Sequence, residues 1–453
     1  MAQGEKRANG IVEGVIWKRL LAFFFPIMLG TLFQQLYNTV DAVIVGQFVG
    51  KEALAAVGGS AAQILNLIIG FFVGLSSGAT VIVSQFYGAK EEESVSKAVH
   101  TAISLAVVGG ALMTALGLIF APTLLRWMNT PEDTMAESTL YLRVVFLAMI
   151  PGMIYNVGSG IQRAVGDSRR PLYFLIICCF VNMALDLLFV LGAGMGVAGV
   201  AIATGLAQCI SAVLVCFSLA RSRDIYRLEL RKLGMDGELL QRTIQIGLPA
   251  GLQSVMYALS NMIITATING FGTSTVAAWV ALGKVDGMYW MISSAFGVSI
   301  TTFVGQNYGA RRYDRVSKSL HVCSGLALGA AWLFGLLFLL FGRPVFRLFS
   351  AETEVLQIAV QMMLYMAPCY WLFLPIELLS GALRGMGDTV IPTIITALGI
   401  CVFRTAWMFV VVPHWHEILG ITISYPISWI MTSLAFILYY SRAKRRLMPA
   451  GQH

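Results

Sequence analysis

Hydrophobic residues in this chain form long runs that short polar breaks separate. Each run has about 20 residues or more, enough for a helix to cross the hydrocarbon core of a bilayer. Because a backbone in lipid must satisfy its own hydrogen bonds, the runs predict helices. The pattern predicts an all-α polytopic membrane protein with twelve spans, at 20–45, 53–83, 98–120, 138–160, 171–191, 197–219, 244–269, 275–304, 318–341, 356–380, 392–412 and 418–440.

Composition agrees with this class. Of the 453 residues, 57% are hydrophobic and 12% are charged, whereas soluble domains carry about 25% charged residues. The net charge is +8, but the basic residues flank the apolar runs, so no nucleic-acid partner is expected. The seven cysteines lie within apolar runs, which predicts no disulfide framework, and we expect no cofactor.

The basic residues also predict the orientation. With the N-terminus inside, only four of the 31 Lys and Arg residues fall in outer loops: Lys51, Arg126, Arg343 and Arg347. Three more lie within spans: Arg143, Lys284 and Arg404. The remainder are on the inner side, and such a bias predicts that both termini are cytoplasmic. Short tails and basic inner loops fit the plasma (inner) membrane of a prokaryote.

The sequence repeats itself. The sixteen residues from Gln85 match those from Gln306 at eight positions, and the thirteen from Ser159 match those from Ser380 at the same offset of 221 residues. Each copy holds six spans, which predicts two lobes of one orientation related by pseudo-two-fold symmetry. We expect an N-terminal tail (1–19), an N-terminal lobe (20–219), a cytoplasmic linker (220–243), a C-terminal lobe (244–440) and a C-terminal tail (441–453).

Two acidic residues lie deep in the first copy, where the one basic residue within a span, Arg143, is near the outer end and can extend to the interface. Asp41 and Asp186 would each cost at least ~2.5–3.5 kcal/mol to insert. Tyr37 and Asn182 precede them by four residues, on the same helix faces, and Thr204 falls at a similar depth. The cluster predicts either a hard-cation site, with Asp41 and Asp186 as ligands of Na⁺, or a carboxylate pair that shares a proton.

The second copy differs. Apolar residues occupy the positions that match the acidic cluster: Ile264, Phe403 and Trp407. Its own charged residues within spans are two basic and two acidic: Lys284, Asp286, Glu377 and Arg404. We expect them to neutralise one another as ion pairs or to contact a substrate. Pro26, which interrupts the first span, predicts a kink that serves either as a static bend or as a hinge.

Several motifs together resemble the MATE (multidrug and toxic compound extrusion) family. They are P-I-M-L-G at Pro26–Gly30, the Asn38–Asp41 pattern, the paired Q-x-Y-G-A segments and the paired R-x-x-G-D segments at Arg163–Asp167 and Arg384–Asp388. The resemblance implies a V-shaped pair of six-helix lobes and efflux of organic cations driven by Na⁺ or H⁺. It also implies a cation or proton site at Asp41, Asn182, Asp186 and Thr204, with Tyr37 close by, while Glu377 matches a second-lobe site of some relatives.

These observations predict a monomeric secondary exporter, not an enzyme, that moves cationic or amphipathic small molecules by alternating access in contact with membrane lipid. One alternative is a lipid-linked oligosaccharide flippase, which needs a more cationic cavity for its pyrophosphate. Another is a membrane-embedded enzyme such as a prenyltransferase, which needs an Asp-rich metal-binding motif within a span. The sequence shows no such motif and no Walker A motif for ATP.

Overall fold

The fold is all-helical. A computed structural model of the chain describes residues 10–350, 352–415 and 417–448; the ends of the predicted tails, 1–9 and 449–453, lie outside the described residues. The described residues form helices and no strand. They build twelve helical rods, one for each predicted span, which confirms the predicted all-α class.

A short helix, α1 (Gly10–Glu13), precedes the rods. The first six rods are α2 (Ile16–Ile44), α3 with α4 (Lys51–Gly58 and Ser60–Ala89), α5 (Glu92–Trp127), α6 with α7 (Glu132–Leu147 and Met149–Ala164), α8 (Arg169–Leu187) and α9 (Gly196–Ala220). The last six are α10 (Gly237–Asn269), α11 (Thr273–Gly309), α12 (Tyr313–Phe346), α13 with α14 (Thr353–Met366 and Leu374–Gly385), α15 with α16 (Val390–Thr396 and Phe403–Val410) and α17 with α18 (Ile418–Thr422 and Ser424–Leu447).

Ten helices in the described ranges are long and apolar enough to cross a membrane, and an eleventh span results if α6 and α7, bent by 50°, count as one. The remaining rod is α10, which does not meet that test. Polar residues in its second half, including Gln253, Ser260 and Asn261, lower its hydropathy. The seventh span is therefore present as a helix but is less apolar than the others.

Packing divides the described residues into two compact units. The N-terminal unit is Phe25–Gly251, and the C-terminal unit contains the described residues up to Phe24 and from Leu252 onward. The boundaries between the two units fall within α2 and α10, next to Pro26 and Pro249. The lobe boundaries predicted from the sequence lie between spans instead. Each proline removes one backbone hydrogen bond from its helix, so both helices change unit where their backbone is least constrained.

The start of the chain packs within the C-terminal unit. Phe24 stacks on Phe296 of α11, with ring centroids 4.1 Å apart. Arg315, at the start of α12, donates hydrogen bonds through Nη2 to the carbonyl oxygens of Ile11 (2.9 Å) and Gly14 (2.7 Å). These bonds satisfy carbonyls at the end of α1 that the helix itself leaves open.

The start of α10 packs within the N-terminal unit, where two pairs of glycines bring it against α4. Gly74 and Gly78 of α4 face Gly251 and Gly247 of α10, and a Cβ atom at any of the four would overlap the opposing backbone. At Gly251, for example, it would lie 2.7 Å from the carbonyl oxygen of Phe71. Helices approach this closely only where small residues line the contact.

The linker before α10 is also fixed to the N-terminal unit. The buried side chain of His100 in α5 lies with Nε2 3.0 Å from the backbone nitrogen of Glu229, which donates to it. The backbone nitrogen of Asp236 donates to Oγ1 of Thr101 over 3.1 Å, and Leu228 is buried. The linker is therefore an ordered part of this unit.

The paired R-x-x-G-D segments form equivalent turns. Gly166 and Gly387 have positive φ values of 95° and 90°, which side chains other than that of glycine rarely adopt. In each turn the backbone nitrogen of the following aspartate donates to a carbonyl five residues earlier, over 2.9 Å: Asp167 to Gln162 and Asp388 to Leu383. This geometry ends α7 and α14, so these segments are structural turns.

Candidate functional site

The acidic cluster forms where α2 and α8 come together in the N-terminal unit. Tyr37 and Asp41 are one turn apart on α2, and Asn182 and Asp186 are one turn apart on α8. Each helix passes into a π-helical turn soon after its aspartate, at Val45–Val49 and Leu188–Gly192. The two π turns contact each other. Such turns widen a helix locally and are frequent at functional sites.

Asn182 connects the two acids. With its amide nitrogen turned toward the carboxylates, it donates hydrogen bonds to Oδ1 of Asp41 over 2.9 Å and to Oδ2 of Asp186 over 3.1 Å. Asn182 and Asp186 are 0% exposed, and Asp41 is 8% exposed. The carboxylates lie within hydrogen-bonding reach of each other. The structure therefore brings together the three residues that the charge pattern singles out.

Tyr37 and Thr204 complete the cluster. The hydroxyl of Tyr37 donates to Oγ1 of Thr204 in α9 over 3.4 Å, and it also lies within reach of Asp41. All five predicted residues are thus in one place, on α2, α8 and α9. Their donors and acceptors are oxygen atoms and one amide, a set that handles protons and hard cations.

Charge in the cluster is not balanced by fixed residues. Within the described ranges, neither Asp41 nor Asp186 forms an ion pair with a lysine or arginine. Oδ1 of Asp186 is buried and has no hydrogen-bond partner among the described residues. Two buried carboxylates in contact stay ionised together only if a cation lies between them; otherwise they share a proton. The cluster therefore calls for one mobile positive species, either a cation or a proton.

The sequence argument missed Tyr141. This residue of α6 lies close enough to Asp41 and Asp186 to interact with their charges, and it packs against the cluster around Val45 and Val190 in the two π turns. It lies in the outer half of the fourth span, as Asp186 does in the fifth, and this is the only signal that the sequence offers. A single tyrosine in an apolar run gives no periodic pattern, so that signal is weak.

Apolar side chains fill the matching positions of the C-terminal unit, as predicted. Ile264, which corresponds to Asp41, is 1% exposed. The rings of Phe403 and Trp407, which correspond to Asn182 and Asp186, have centroids 5.6 Å apart. Trp407 Nε1 donates to the carbonyl oxygen of Gly420 over 2.8 Å. The acidic site therefore exists in only one of the two copies.

Three of the four charged residues predicted for the second copy line a cavity of about 560 Å³ inside the C-terminal unit. They are Asp286, Glu377 and Arg404. Lys284 is exposed and is not part of the lining. Aromatic side chains, among them those of Trp279 and Trp290, form much of the wall.

The four charged side chains form no direct ion pair with one another among the described residues, and two of them have other partners. Trp290 Nε1 donates to Oδ2 of Asp286 over 2.7 Å. Arg404 Nε donates to Oγ of Ser428 over 2.9 Å, and its guanidinium carbon lies 3.9 Å from the ring centroid of Tyr425. Within the described residues no two of the four charged side chains come within 4.0 Å as an ion pair.

Comparison with known proteins decides the family. The sequence profile of the MatE family matches this chain twice, over residues 26–188 and 249–410. Together the two matches cover most of the chain and correspond to the two copies of the repeat. The chain belongs to the MatE family.

Relatives agree with this assignment. The chain is 28% identical to "Probable multidrug resistance protein YoeA" of Bacillus subtilis, over 94% of this chain and 93% of that protein. It is 25% identical to "Probable multidrug resistance protein NorM" of Thermotoga maritima, over 95% and 93%. The structure titled "Crystal structure of MATE in the bent conformation" aligns with a TM-score of 0.90 at 22% identity, covering 98% of each chain.

Membership in the MatE family makes the chain a multi-pass membrane transporter and not an enzyme, as predicted. It also confirms the fold of two six-helix lobes that the internal repeat predicts. The roles of the residues in the two sites of this MatE protein remain predictions.

Proposed function

We propose that this MatE protein is a multidrug exporter that exchanges cationic or amphipathic small molecules for protons, with Asp41 and Asp186 as the coupling site. The protein would lie in the prokaryotic inner membrane, work as a monomer with both termini cytoplasmic and alternate between inward- and outward-open states. The observation that carries the proposal is a pair of buried carboxylates that no described lysine or arginine neutralises. The relatives named multidrug resistance proteins support the class of substrate.

The contact between the two acids favours H⁺ over Na⁺ as the coupling ion, because Asp41 and Asp186 lie within hydrogen-bonding reach of each other and two carboxylates in contact share a proton readily. Sodium prefers several oxygen ligands, and an amide coordinates it through oxygen. A proton shared by Asp41 and Asp186 needs no further oxygen. Binding of the proton would remove the repulsion between the acids and change the packing of α2 near its hinge, Pro26.

A gradient experiment separates the two ions. We expect proteoliposomes with an acidic lumen to accumulate ethidium, because protons leaving the lumen drive the exchange. Proteoliposomes loaded with Na⁺, at equal pH on both sides, should take up no more ethidium than liposomes without protein. The measurement is the time course of ethidium fluorescence. Equal uptake under the Na⁺ gradient alone would contradict the choice of proton.

The lipid-linked oligosaccharide flippase is tested in the same vesicles. If a fluorescent lipid-linked sugar crosses the bilayer and ethidium does not under either gradient, the proposed substrate class is wrong. The cluster around Asp41 and Asp186 argues for the cation, since pyrophosphate is repelled by uncompensated acids.

We further propose that the cavity of the C-terminal unit contacts part of the drug. Its volume of about 560 Å³ is within the range of small-molecule sites, roughly 300–1,000 Å³. Asp286 and Glu377 supply negative charge, and the aromatic wall suits an organic cation.

Asp286→Asn is expected to raise the KM for ethidium about tenfold, which corresponds to ~1.4 kcal/mol of lost attraction, with little change in kcat. Lys284→Gln is the matched control, because Lys284 is two residues away and outside the cavity. We expect its KM to equal that of the wild type. An unchanged KM in Asp286→Asn would show that the cavity does not contact this drug.

A further inference from the structure

A second groove of the C-terminal unit opens at the end of α12 that the charge bias places on the outer side. Its volume is about 830 Å³, and α12 and α13 form its walls. Arg343 and Arg347 lie one turn apart on one wall, and Gln357 and Gln361 lie one turn apart on the other. Residues four apart share a helix face. The groove is therefore lined by two stripes of hydrogen-bond donors.

The two arginines have no partner among the residues that the structure describes. Both are exposed, and neither side chain forms an ion pair or hydrogen bond with another described residue. The acids nearest in sequence do not line the groove, and one of them, Glu354, accepts a hydrogen bond from Ser274 over 2.9 Å. The groove thus presents two positive charges to an external ligand.

Basic residues on the outer side of a membrane protein run against the usual bias. Only four Lys and Arg residues of this chain fall there, and two of them are Arg343 and Arg347. The fold does not require them. At the offset of 221 residues, the positions matching the two arginines and two glutamines are Pro122, Arg126, Ala136 and Leu140, so the first copy keeps only one of the four.

The surroundings of the groove are apolar. Leu364 and Tyr365 also line the groove and are exposed, and Leu340, one turn before the first arginine, is 62% exposed. A ligand that fits must carry negative charge at one end and hydrocarbon at the other. Guanidinium groups bind phosphate through paired hydrogen bonds.

We propose that this groove binds the headgroup of an anionic phospholipid, with Arg343 and Arg347 on the phosphate and the two glutamines on the polar headgroup. The acyl chains would run along the exposed apolar side of α12. The groove shares no lining residue with the acidic cluster or with the cavity of the C-terminal unit, so the lipid site stands whether or not the proposed substrate class is correct.

The test compares phospholipids on the purified full chain in detergent. We expect phosphatidylglycerol to raise the melting temperature above the value in phosphatidylcholine by several degrees, because a ligand that binds only the folded state stabilises it. The gain should disappear in the Arg343→Gln/Arg347→Gln double variant and shrink at high salt. Arg126→Gln, the counterpart in the first copy, should keep the full gain.

Three results would overturn the proposal: equal melting temperatures in the two lipids for the wild type, a gain that survives in the double variant, or an equal gain from inorganic phosphate alone, which would indicate a free-anion site. If the double variant does not fold, photoreactive phosphatidylglycerol on the wild-type chain decides. We expect crosslinks within residues 343–365, and crosslinks confined to other segments would contradict the assignment.

Discussion

Replacing Asp41 with Asn is expected to abolish proton-driven ethidium uptake while the chain still folds and still binds ethidium. The amide has nearly the size of the carboxylate, so the packing around α2 is kept, but it cannot take up or release a proton. Uptake in acid-loaded proteoliposomes should fall to the level of empty liposomes. Ethidium fluorescence polarisation on the purified variant should report binding close to that of the wild type.

Asp186→Asn tests whether the two acids act as one unit. If Asp41 and Asp186 share a single proton, either substitution removes the coupling, and the double variant is no worse than either single one. The matched control is Glu52→Gln, an exposed acid on α3, which should leave uptake unchanged. Normal uptake in Asp41→Asn, or losses that multiply in the double variant, would rule out the shared site.

The sequence predicts this site well because its positions obey simple rules. The two acids stand out because a charged side chain within a membrane span is costly. Tyr37 and Asn182 are predicted because each precedes an acid by four residues on the same helix, α2 or α8. Thr204 is predicted because its position in the sixth span places it at a depth similar to that of the two acids. The contribution of Tyr141 depends on how α6 bends before α7, by 50°, and hydrophobicity along the chain does not encode that bend.

The charges of the second copy show where such reasoning fails. Equal numbers of acids and bases predict ion pairs, but a sequence does not reveal where each side chain points. Asp286 accepts a hydrogen bond from Trp290, four residues later on the same helix face. The four-residue spacing between Asp286 and Trp290 is visible in the sequence, and the indole N–H of tryptophan is a hydrogen-bond donor that a carboxylate can use. Lys284 lies two residues from Asp286, which places it on a different face of α11.

The division into two units could not be read from the spans either. An unbroken apolar run predicts one helix that belongs to one unit. Helices α2 and α10 are instead divided, each with one part in the N-terminal unit and the other part in the C-terminal unit. Pro26 and Pro249 mark the change, but a proline within a span is also compatible with a simple bend. The deciding contacts are those of glycines on α4 and α10, and their meaning emerges only when the two helices are known to be neighbours.

Gly247→Val is expected to destabilise the N-terminal unit strongly, because its side chain would meet the backbone of α4. A Cβ atom at this position overlaps the carbonyl group of Leu75. Forcing a larger residue into a packed contact costs about 3 kcal/mol. That cost should lower the melting temperature of the purified chain by roughly 5–10 °C, measured by fluorescence-detected size exclusion after heating.

Gly329→Val is the matched control for this substitution. It places the same residue within helix α12, where nothing lies within 4 Å of the new Cβ, and it carries the same change in helix propensity. We expect its melting temperature to stay close to that of the wild type. If the melting temperature of Gly247→Val were also close to that of the wild type, the first half of α10 would not pack against α4. The assignment of Gly237–Gly251 to the N-terminal unit would then be wrong.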